Sequence, residues 1–255
     1  MTVSPERFLE SVANDSLALA NAARKGLDAP VPSCPGWTVN DVLIHLGGIH
    51  QQKVFVARER VSEREFEVTP PDGDPVDWFV DGSKKLVEAL AATDAAEPCW
   101  TWFKPDQTMG FWFRRMAQET LIHRVDVELA NGPVTDVPAD IAEDGIDEAL
   151  TVSIAGAPAW AEITSLDSAI KLDTGGRSWT LDNATWSGTT RSGRQVSDTP
   201  AVLLVDDDRD TDCTVRGSAP AIDLWLWGRG GTEELEITGD AALADRLRQV
   251  AASKT

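Results

Sequence analysis

The sequence predicts an α+β protein of two domains, a helical bundle over residues 1–151 and a smaller α+β domain over residues 152–255. Two observations support this prediction. Up to Gly132, apolar residues recur at the spacing of amphipathic helices, in four segments separated by loops. Beyond Thr151 the pattern changes to short β-like runs separated by turn residues. A length of 255 residues is ample for two domains of ordinary size.

Four helices are predicted in the first domain, and their starts carry recognisable capping residues. They run from Ser4 to Gly26, from Thr38 to about Arg58, from Asp74 to about Ala92 and from Gly110 to Gly132. Ser4 precedes a proline at the first helical position, and Thr38 forms a capping-box pattern with Asp41. Four helices joined by loops of moderate length are typical of a four-helix bundle.

The second domain follows one more predicted helix. Residues 140–150 form that helix, which we interpret as a bridge between the domains, although Gly145 disfavours it. β-like runs follow at 169–172, 178–181, 201–205, 213–215 and 235–238, and two helices are predicted at about 219–227 and 240–252. Short strands interrupted by helices predict an α+β domain of about a hundred residues.

Composition argues against several classes of function. With 42 acidic and 23 basic residues the net charge is −19, and a surface this acidic repels phosphate backbones, so we expect no nucleic-acid partner. No apolar run approaches the ~20 residues that cross a bilayer, and no signal peptide is visible, so no membrane partner is expected. Three cysteines at wide spacing argue against a disulfide framework and favour a reducing, cytoplasmic location.

The fourth helix carries an ionisable pair, Glu119 and His123. At about 100° per residue, a four-residue spacing places both side chains one turn apart on the same face. Trp112, Met116 and Val127 fall on that face as well, so the carboxylate and the imidazole are predicted to point inward. Buried ionisable groups need a partner or a metal ion. Pairs at this spacing are also common contacts on helix surfaces, and spacing alone does not separate the two interpretations.

His45 on the second helix is the predicted third member of a metal site. It shares a face with Val42 and Ile49 and is expected to point inward, whereas His50 lies about 140° round the helix. Two imidazoles and one carboxylate form a recurring catalytic zinc set with one open position, and other divalent metals accept the same ligands. Cys34 precedes the helix cap at Thr38, and the helical rise from Thr38 to His45 is about 10 Å. We therefore expect Cys34 to lie too far from His45 to share a metal ion, and we interpret it as structural.

Two glycines, Gly47 and Gly48, stand in the middle of the second helix. Each costs about 1 kcal/mol relative to alanine in a helix interior. Close packing or local distortion near His45 could offset that cost, as could a simple helix crossing, and the sequence leaves both interpretations open.

Two motifs resemble those of a known family. The first runs from Cys34 to Gly48, as Cys-Pro-Gly-Trp-Thr-Val-Asn-Asp-Val-Leu-Ile-His-Leu-Gly-Gly, and the second runs from Glu119 to Asp126, as Glu-Thr-Leu-Ile-His-Arg-Val-Asp. Together they resemble the mycothiol-dependent maleylpyruvate isomerase family, a member of the DinB-like superfamily of metal-binding four-helix bundles. Residues 143–148 resemble its linker helix loosely, and residues 224–230 resemble a motif of its C-terminal domain more closely.

The resemblance implies a divalent metal, usually zinc, held by His45, Glu119 and His123. It also implies that mycothiol, the actinobacterial low-molecular-weight thiol, is the cofactor at the open position, and that the second domain has a sterol-carrier-like α+β fold. Arg229 resembles a residue that binds an anionic group of substrate or cofactor, although a cation at a helix end also favours the helix dipole. Asp126 could orient an imidazole or be a solvated helix acid.

Three functions are compatible with these features. In a mycothiol-dependent isomerase, a thiolate adds to the cis double bond of maleylpyruvate, the resulting single bond rotates, and elimination gives the trans product. The second function is a thiol S-transferase, and the third is a non-catalytic protein of the same fold that binds a metal or a small ligand. We expect a small electrophilic or anionic substrate, and the sequence does not give the oligomeric state.

Overall fold

The computed structural model describes residues 3–206 and 209–254, and their contacts divide the chain into two compact units, Met1–Asp136 and Val137–Thr255. The α+β class predicted from the sequence is confirmed, because helices form the first unit and the second combines helices with a five-stranded sheet. The division falls before the fifth helix, earlier than the sequence-predicted boundary at residue 151. This difference has a physical cause: the fifth helix packs against the sixth, within the second unit.

Four long helices make up the first unit: α1 (Pro5–Ala23), α2 (Val39–Glu59), α3 (Pro75–Ala91) and α4 (Met109–Asn131). Both α1 and α2 pack against α3 and α4, and a turn of 3-10 helix, Glu63–Glu65, follows α2. The predicted caps are present. Ser4 Oγ accepts a hydrogen bond from the Arg7 N–H, and Thr38 and Asp41 form both bonds of a capping box.

Buried residues surround α4 on almost every side. Leu121 and Val125 are fully buried, as expected for apolar residues of a central helix. Arg124 is also buried, with 3% of its surface exposed, and its Nε lies 3.2 Å from Asp15 Oδ1 on α1. A helix buried on several sides needs partners for the polar side chains that it carries, and α4 finds them both on its neighbours, as with Asp15, and within itself, as with Arg115 and Glu119.

The second unit begins with α5 (Ala139–Glu148), which continues as π-helix over Ala149–Ile154. The remaining elements are β1 (Glu162–Asp173), β2 (Ser178–Thr189), β3 (Gln195–Val205), β4 (Cys213–Arg216), α6 (Ala219–Trp227), β5 (Glu236–Gly239) and α7 (Ala241–Ala252). The strands lie in the order β3-β2-β1-β4-β5, and β1 and β4 are parallel while the other neighbours are antiparallel. Ile170 and Leu181 from the sheet share a core with Ile222 of α6 and Leu247 of α7.

Three strands are several residues longer than the sequence predicts: β2 continues to Thr189, although its predicted run ends at residue 181, and β1 and β3 start early. β1 begins at Glu162 and β3 at Gln195, whereas the predicted runs begin at residues 169 and 201. The first six residues of β1 are exposed, so they lack the apolar pattern that marks a buried strand. The β1–β2 register also shifts between Ser165 and Ala169. Within the described ranges, no helix combines the length and the apolar character needed to cross a bilayer.

Candidate metal centre

Three side chains from α2 and α4 converge in the first unit. His45 Nε2 lies 3.6 Å from Glu119 Oε1, and His123 Nε2 lies 3.3 Å from the same oxygen. Their ligand atoms all fall within 4.8 Å of one another, and the two imidazole centroids are 5.1 Å apart. In the described part of the chain, this is the one group of three or more histidine, cysteine or acidic side chains placed to share a metal ion.

The three side chains are buried to different degrees. His123 and Glu119 expose 12% and 16% of their side-chain surface, but His45 exposes 39%. His45 therefore meets the α4 pair as predicted, but its side chain is more exposed than the predicted inward position requires, whereas the prediction for the α4 pair agrees with the structure. His45 stands at the edge of the helix contact, with the Trp37 ring 5.1 Å away in an edge-on arrangement. The cluster consequently opens toward solvent on the His45 side.

Asp126 holds the far nitrogen of His123. Its Oδ2 lies 2.9 Å from His123 Nδ1, and the Asp126 side chain is fully buried. Ser33 Oγ donates a hydrogen bond to the other carboxylate oxygen, and Cys34 Sγ lies 3.6 Å from Oδ2. Asp126 is thus an orienting partner of an imidazole and not a solvated helix acid. Cys34 contacts this partner and stands outside the group of candidate ligands.

Charge around His123 favours its protonated form when no metal is bound. Burial acts to lower the pKa of His123, but hydrogen bonds to Asp126 and Glu119 outweigh burial and raise the pKa to about 9. The imidazole therefore lies between two carboxylates, and their negative charges stabilise its protonated form. The same negative charges would stabilise a divalent ion, which would displace the proton from Nε2.

Arg115 is absent from the sequence-predicted site, yet it contacts the cluster. Its guanidinium is ion-paired with Glu119 Oε2, one turn along α4, which leaves Oε1 to face the two imidazoles. Burial acts to raise the pKa of Glu119, but the Arg115 charge and the hydrogen bonds from His123 and His45 hold it well below its usual range. The four-residue spacing to Glu119 is the sequence signal that identifies Arg115.

A buried lysine lies near the cluster on the same side of α2. Lys53 Nζ is ion-paired with Glu63 on the 3-10 turn and stands 4.4 Å from the centroid of the Trp112 ring. Burial lowers the pKa of Lys53, and the pairing with Glu63 only partly offsets this effect. Lys53 is thus part of the polar interior between α2 and α4.

His50 lies apart from the cluster, as its angular position on the helix predicts. It is fully buried, and its Nε2 lies 3.1 Å from Thr120 Oγ1. Burial lowers the pKa of His50 to about 3, so the ring is neutral at physiological pH.

Arg229 belongs to the second unit and follows the C-terminus of α6. Gly228 ends that helix with a left-handed backbone, at a φ of 80°, and Arg229 Nη1 donates to the Trp227 carbonyl at 2.6 Å. A second guanidinium, that of Arg248, donates to the Leu226 carbonyl at 3.0 Å. The two cations therefore cap the last carbonyls of α6, which is the structural role that a cation at a helix C-terminus can fill.

Comparisons with known proteins identify the family of both units. The mycothiol maleylpyruvate isomerase N-terminal domain model matches residues 9–128, and the corresponding C-terminal domain model matches residues 140–246. A search of curated proteins gave no match.

Two solved structures share the fold over nearly the whole chain. One is a histidine-to-alanine mutant of mycothiol-dependent maleylpyruvate isomerase, with a TM-score of 0.62 and 14% identity, covering 94% of this chain and 97% of that one. The other is a mycothiol-dependent maleylpyruvate isomerase, with a TM-score of 0.55, 15% identity and the same coverage. Matches of both domain models in this order show that the chain belongs to the mycothiol-dependent maleylpyruvate isomerase family.

Proposed function

We propose that the chain is a mycothiol-dependent metalloenzyme that isomerises a cis double bond of the maleylpyruvate type, with a divalent metal held by His45, Glu119 and His123. Membership of an isomerase family supports an enzyme over the non-catalytic binder that the sequence alone leaves open. The observation that carries the proposal is the convergence of two imidazole nitrogens and one carboxylate oxygen within 4.8 Å. Three such ligands with a fourth position open are the usual arrangement of catalytic zinc sites.

The residues present fit a metal in their chemistry as well as in their spacing. His123 Nδ1 faces Asp126 and its Nε2 faces Glu119, so a metal at Nε2 would leave the Nδ1–H hydrogen-bonded to a carboxylate. Glu119 is kept ionised by Arg115, which is the form in which a carboxylate binds a metal. We propose zinc because imidazole and carboxylate ligands in this number suit it.

A bound divalent metal would lower the pKa of a thiol ligand, so that the thiolate forms at neutral pH. The residues of this chain would prepare that site. Asp126, held by Ser33, fixes the His123 ring, and Arg115 fixes Glu119. The exposed His45 side gives a thiol and a small electrophile room to enter.

The proposed reaction consumes nothing besides the substrate, because the thiolate that adds to it is released again at the end. The mycothiol sulfur adds to one carbon of the cis double bond, and the electron pair of that bond moves to the conjugated carbonyl oxygen. Rotation about the new single bond follows, and return of the electron pair re-forms the double bond as trans and expels the thiolate. We propose that Arg229 binds an anionic group of the substrate or cofactor, which its charge suits.

We also propose a cytoplasmic location, since all three cysteines are free thiols, as expected in a reducing compartment.

The test is turnover of maleylpyruvate by the purified chain, with and without mycothiol and after metal removal by a chelator. We expect isomerisation that needs both the thiol and the metal, and that returns when zinc is added back. Formation of a stable thioether product would instead identify an S-transferase. Metal binding with no thiol-dependent turnover of any electrophile would identify a non-catalytic binder and contradict the proposal. Arg229→Ala is expected to raise the KM more than Arg229→Lys does.

A further inference from the structure

A cavity lies on the side of α2 that faces away from the metal centre. It has a volume of about 770 Å³, is open to solvent, and is bordered by α2, α3 and the loop over residues 66–74, all within the first unit. Of its five α2 lining residues, Gln51, Val54 and Arg58 lie about 120° to 180° round the helix from His45, while Phe55 and Glu59 lie closer in angle but about three to four turns further along α2. None of the three candidate metal ligands lines it. The cavity is therefore separate from the site to which the proposed reaction belongs.

Aromatic side chains form much of the apolar wall. The Phe55 and Phe66 rings are 5.3 Å apart, and Trp78 of α3 lies directly against α2. A Cβ atom at Gly47 would stand only 2.1 Å from Trp78 Cζ3, so this indole position depends on the glycine. The loop is held in place by Gln51, whose side chain makes two hydrogen bonds of 3.0 Å to the backbone of Thr69. The loop that borders the cavity is thus anchored to α2 through Gln51.

Carboxylates outnumber cations around this cavity. Its acidic lining residues are Glu59, Asp72, Asp74, Asp77 and Asp81, and its basic ones are Arg58 and Lys85. Two ion pairs neutralise part of this charge: Arg24 to Asp77 at 2.7 Å and Lys85 to Asp81 at 3.2 Å. With Arg24 counted, five carboxylates face three cations, so the rim keeps a negative balance.

We propose that this cavity is a binding site for a small organic cation with an apolar body, such as an aryl- or alkylammonium ion. The volume lies within the range of about 300 to 1,000 Å³ that small-molecule sites occupy. Aromatic faces attract a desolvating ammonium through the ring quadrupole, and the acidic rim raises its local concentration. The proposal does not depend on the metal centre or on the isomerase reaction.

The test is titration of the full chain with benzyltrimethylammonium, followed by calorimetry and by protein NMR. We expect saturable binding of one cation per chain and binding of benzenesulfonate at least about tenfold weaker. His123→Ala should bind the cation as the natural chain does, because the metal centre lies on the other face of α2. Absence of saturable binding, or equal binding of the sulfonate, would overturn the proposal.

Gly82 offers a variant that fills the cavity without disturbing the fold. It lines the cavity, and a Cβ atom there meets no atom within 4 Å. Gly82→Leu also replaces a helix-interior glycine with a better helix former, so the chain is expected to stay folded. Cation binding should weaken at least about tenfold in Gly82→Leu and change less than about twofold in the matched Gly82→Ala. Unchanged binding in Gly82→Leu would place the cation elsewhere and contradict the proposal.

A separate variant tests the negative charge of the rim. The double change Glu59→Gln with Asp72→Asn removes two negative charges from the lining with little change of side-chain size. We expect several-fold weaker cation binding and a weaker dependence on salt. Unaltered affinity together with an unaltered salt dependence would refute the role assigned to the rim.

Discussion

The two faces of α2 are built by different physical means. The face toward α4 carries His45, His50 and Lys53, and each of these polar side chains has a polar partner on α4 or on the 3-10 turn. The face toward α3 carries Gly47 and Phe55, and it admits an indole and leaves a cavity. One helix therefore separates a polar cluster suited to a metal from an aromatic cavity suited to an organic cation.

The contrast shows how burial selects the residues on each face. Ionisable side chains that are buried against α4 need charged or hydrogen-bonding partners. They therefore cluster together, and their mutual contacts hold each side chain in position. The glycines on the other face lack side chains, so the neighbouring helix and loop approach closely and their aromatic rings define the space. If the two faces are independent, a change on one should leave binding on the other unaltered.

Asp126→Asn is the change expected to have the largest effect on the metal face. The amide would bind His123 Nδ1 less strongly than the carboxylate does and would leave Ser33 Oγ with a weaker acceptor. Loss of such an orienting carboxylate typically lowers metal affinity about 10- to 100-fold. Competition with a chromophoric zinc chelator measures this change.

The matched control is Asp245→Asn on the exposed surface of α7, which should keep the natural zinc affinity. Cation binding in the α2–α3 cavity should be the same in both variants. An Asp126→Asn chain that binds zinc as tightly as the control would show that Asp126 does not support His123.

His50 gives a pH test of the same face. Its pKa is about 3 in the folded chain and 6.5 in the unfolded one, so the unfolded state takes up a proton first as the pH falls. The stabilisation from neutral His50 is complete above about pH 6.5 and is lost progressively toward pH 3. Between pH 7.5 and 5.0 this loss should amount to about 1 to 2 kcal/mol.

Urea unfolding of the natural chain and of His50→Gln, with metal removed, isolates this contribution. The stability difference between the two should shrink by that amount from pH 7.5 to pH 5.0, because the variant has no imidazole to protonate. A difference that stays constant with pH would contradict the assignment of a depressed pKa to His50.

Gly47→Ala and Gly48→Ala form a matched pair on the other face. Both gain the same helix propensity, but the new Cβ lies 2.1 Å from the Trp78 ring at position 47 and 3.2 Å from Val68 Cγ1 at position 48. Overpacking of this kind costs about 1 to 3 kcal/mol, so Gly47→Ala should be less stable than Gly48→Ala by that amount.

The displaced indole should also weaken cation binding in Gly47→Ala, while zinc affinity stays natural in both variants. Equal free energies of unfolding in the two variants would mean that Trp78 moves away from the new methyl group at no cost. The close contact at Gly47 would then contribute nothing to stability.

Local signals predict much of the first unit. The helix starts at Ser4, Thr38 and Asp74 each carry a capping side chain that acts within three residues, so the sequence alone identifies them. Helical periodicity likewise predicts that Glu119 and His123 share an inward face. Membership of the family confirms the resemblance seen in the motifs around His45 and His123.

Contacts between distant segments set the limit of such prediction. Ser33 bonds to Asp126 across 93 residues of sequence, and no local pattern predicts that pairing. Helical periodicity places His45 on an apolar face, but its exposure depends on where the α2–α4 contact ends. The glycine pair shows the same limit. Of the two interpretations that the sequence leaves open, the structure supports the helix crossing, because Trp78 of α3 occupies the space beside Gly47 and Val68 of the loop occupies the space beside Gly48.

Zinc content per chain is the most direct test of the metal centre. The natural chain, His123→Ala and His50→Gln would each be loaded with zinc, dialysed and analysed by elemental mass spectrometry, after circular dichroism confirms that each is folded. The account predicts about one zinc ion per natural chain and per His50→Gln chain, and almost none in His123→Ala. Equal zinc in the natural chain and in His123→Ala would contradict the assignment of the ion to His45, Glu119 and His123.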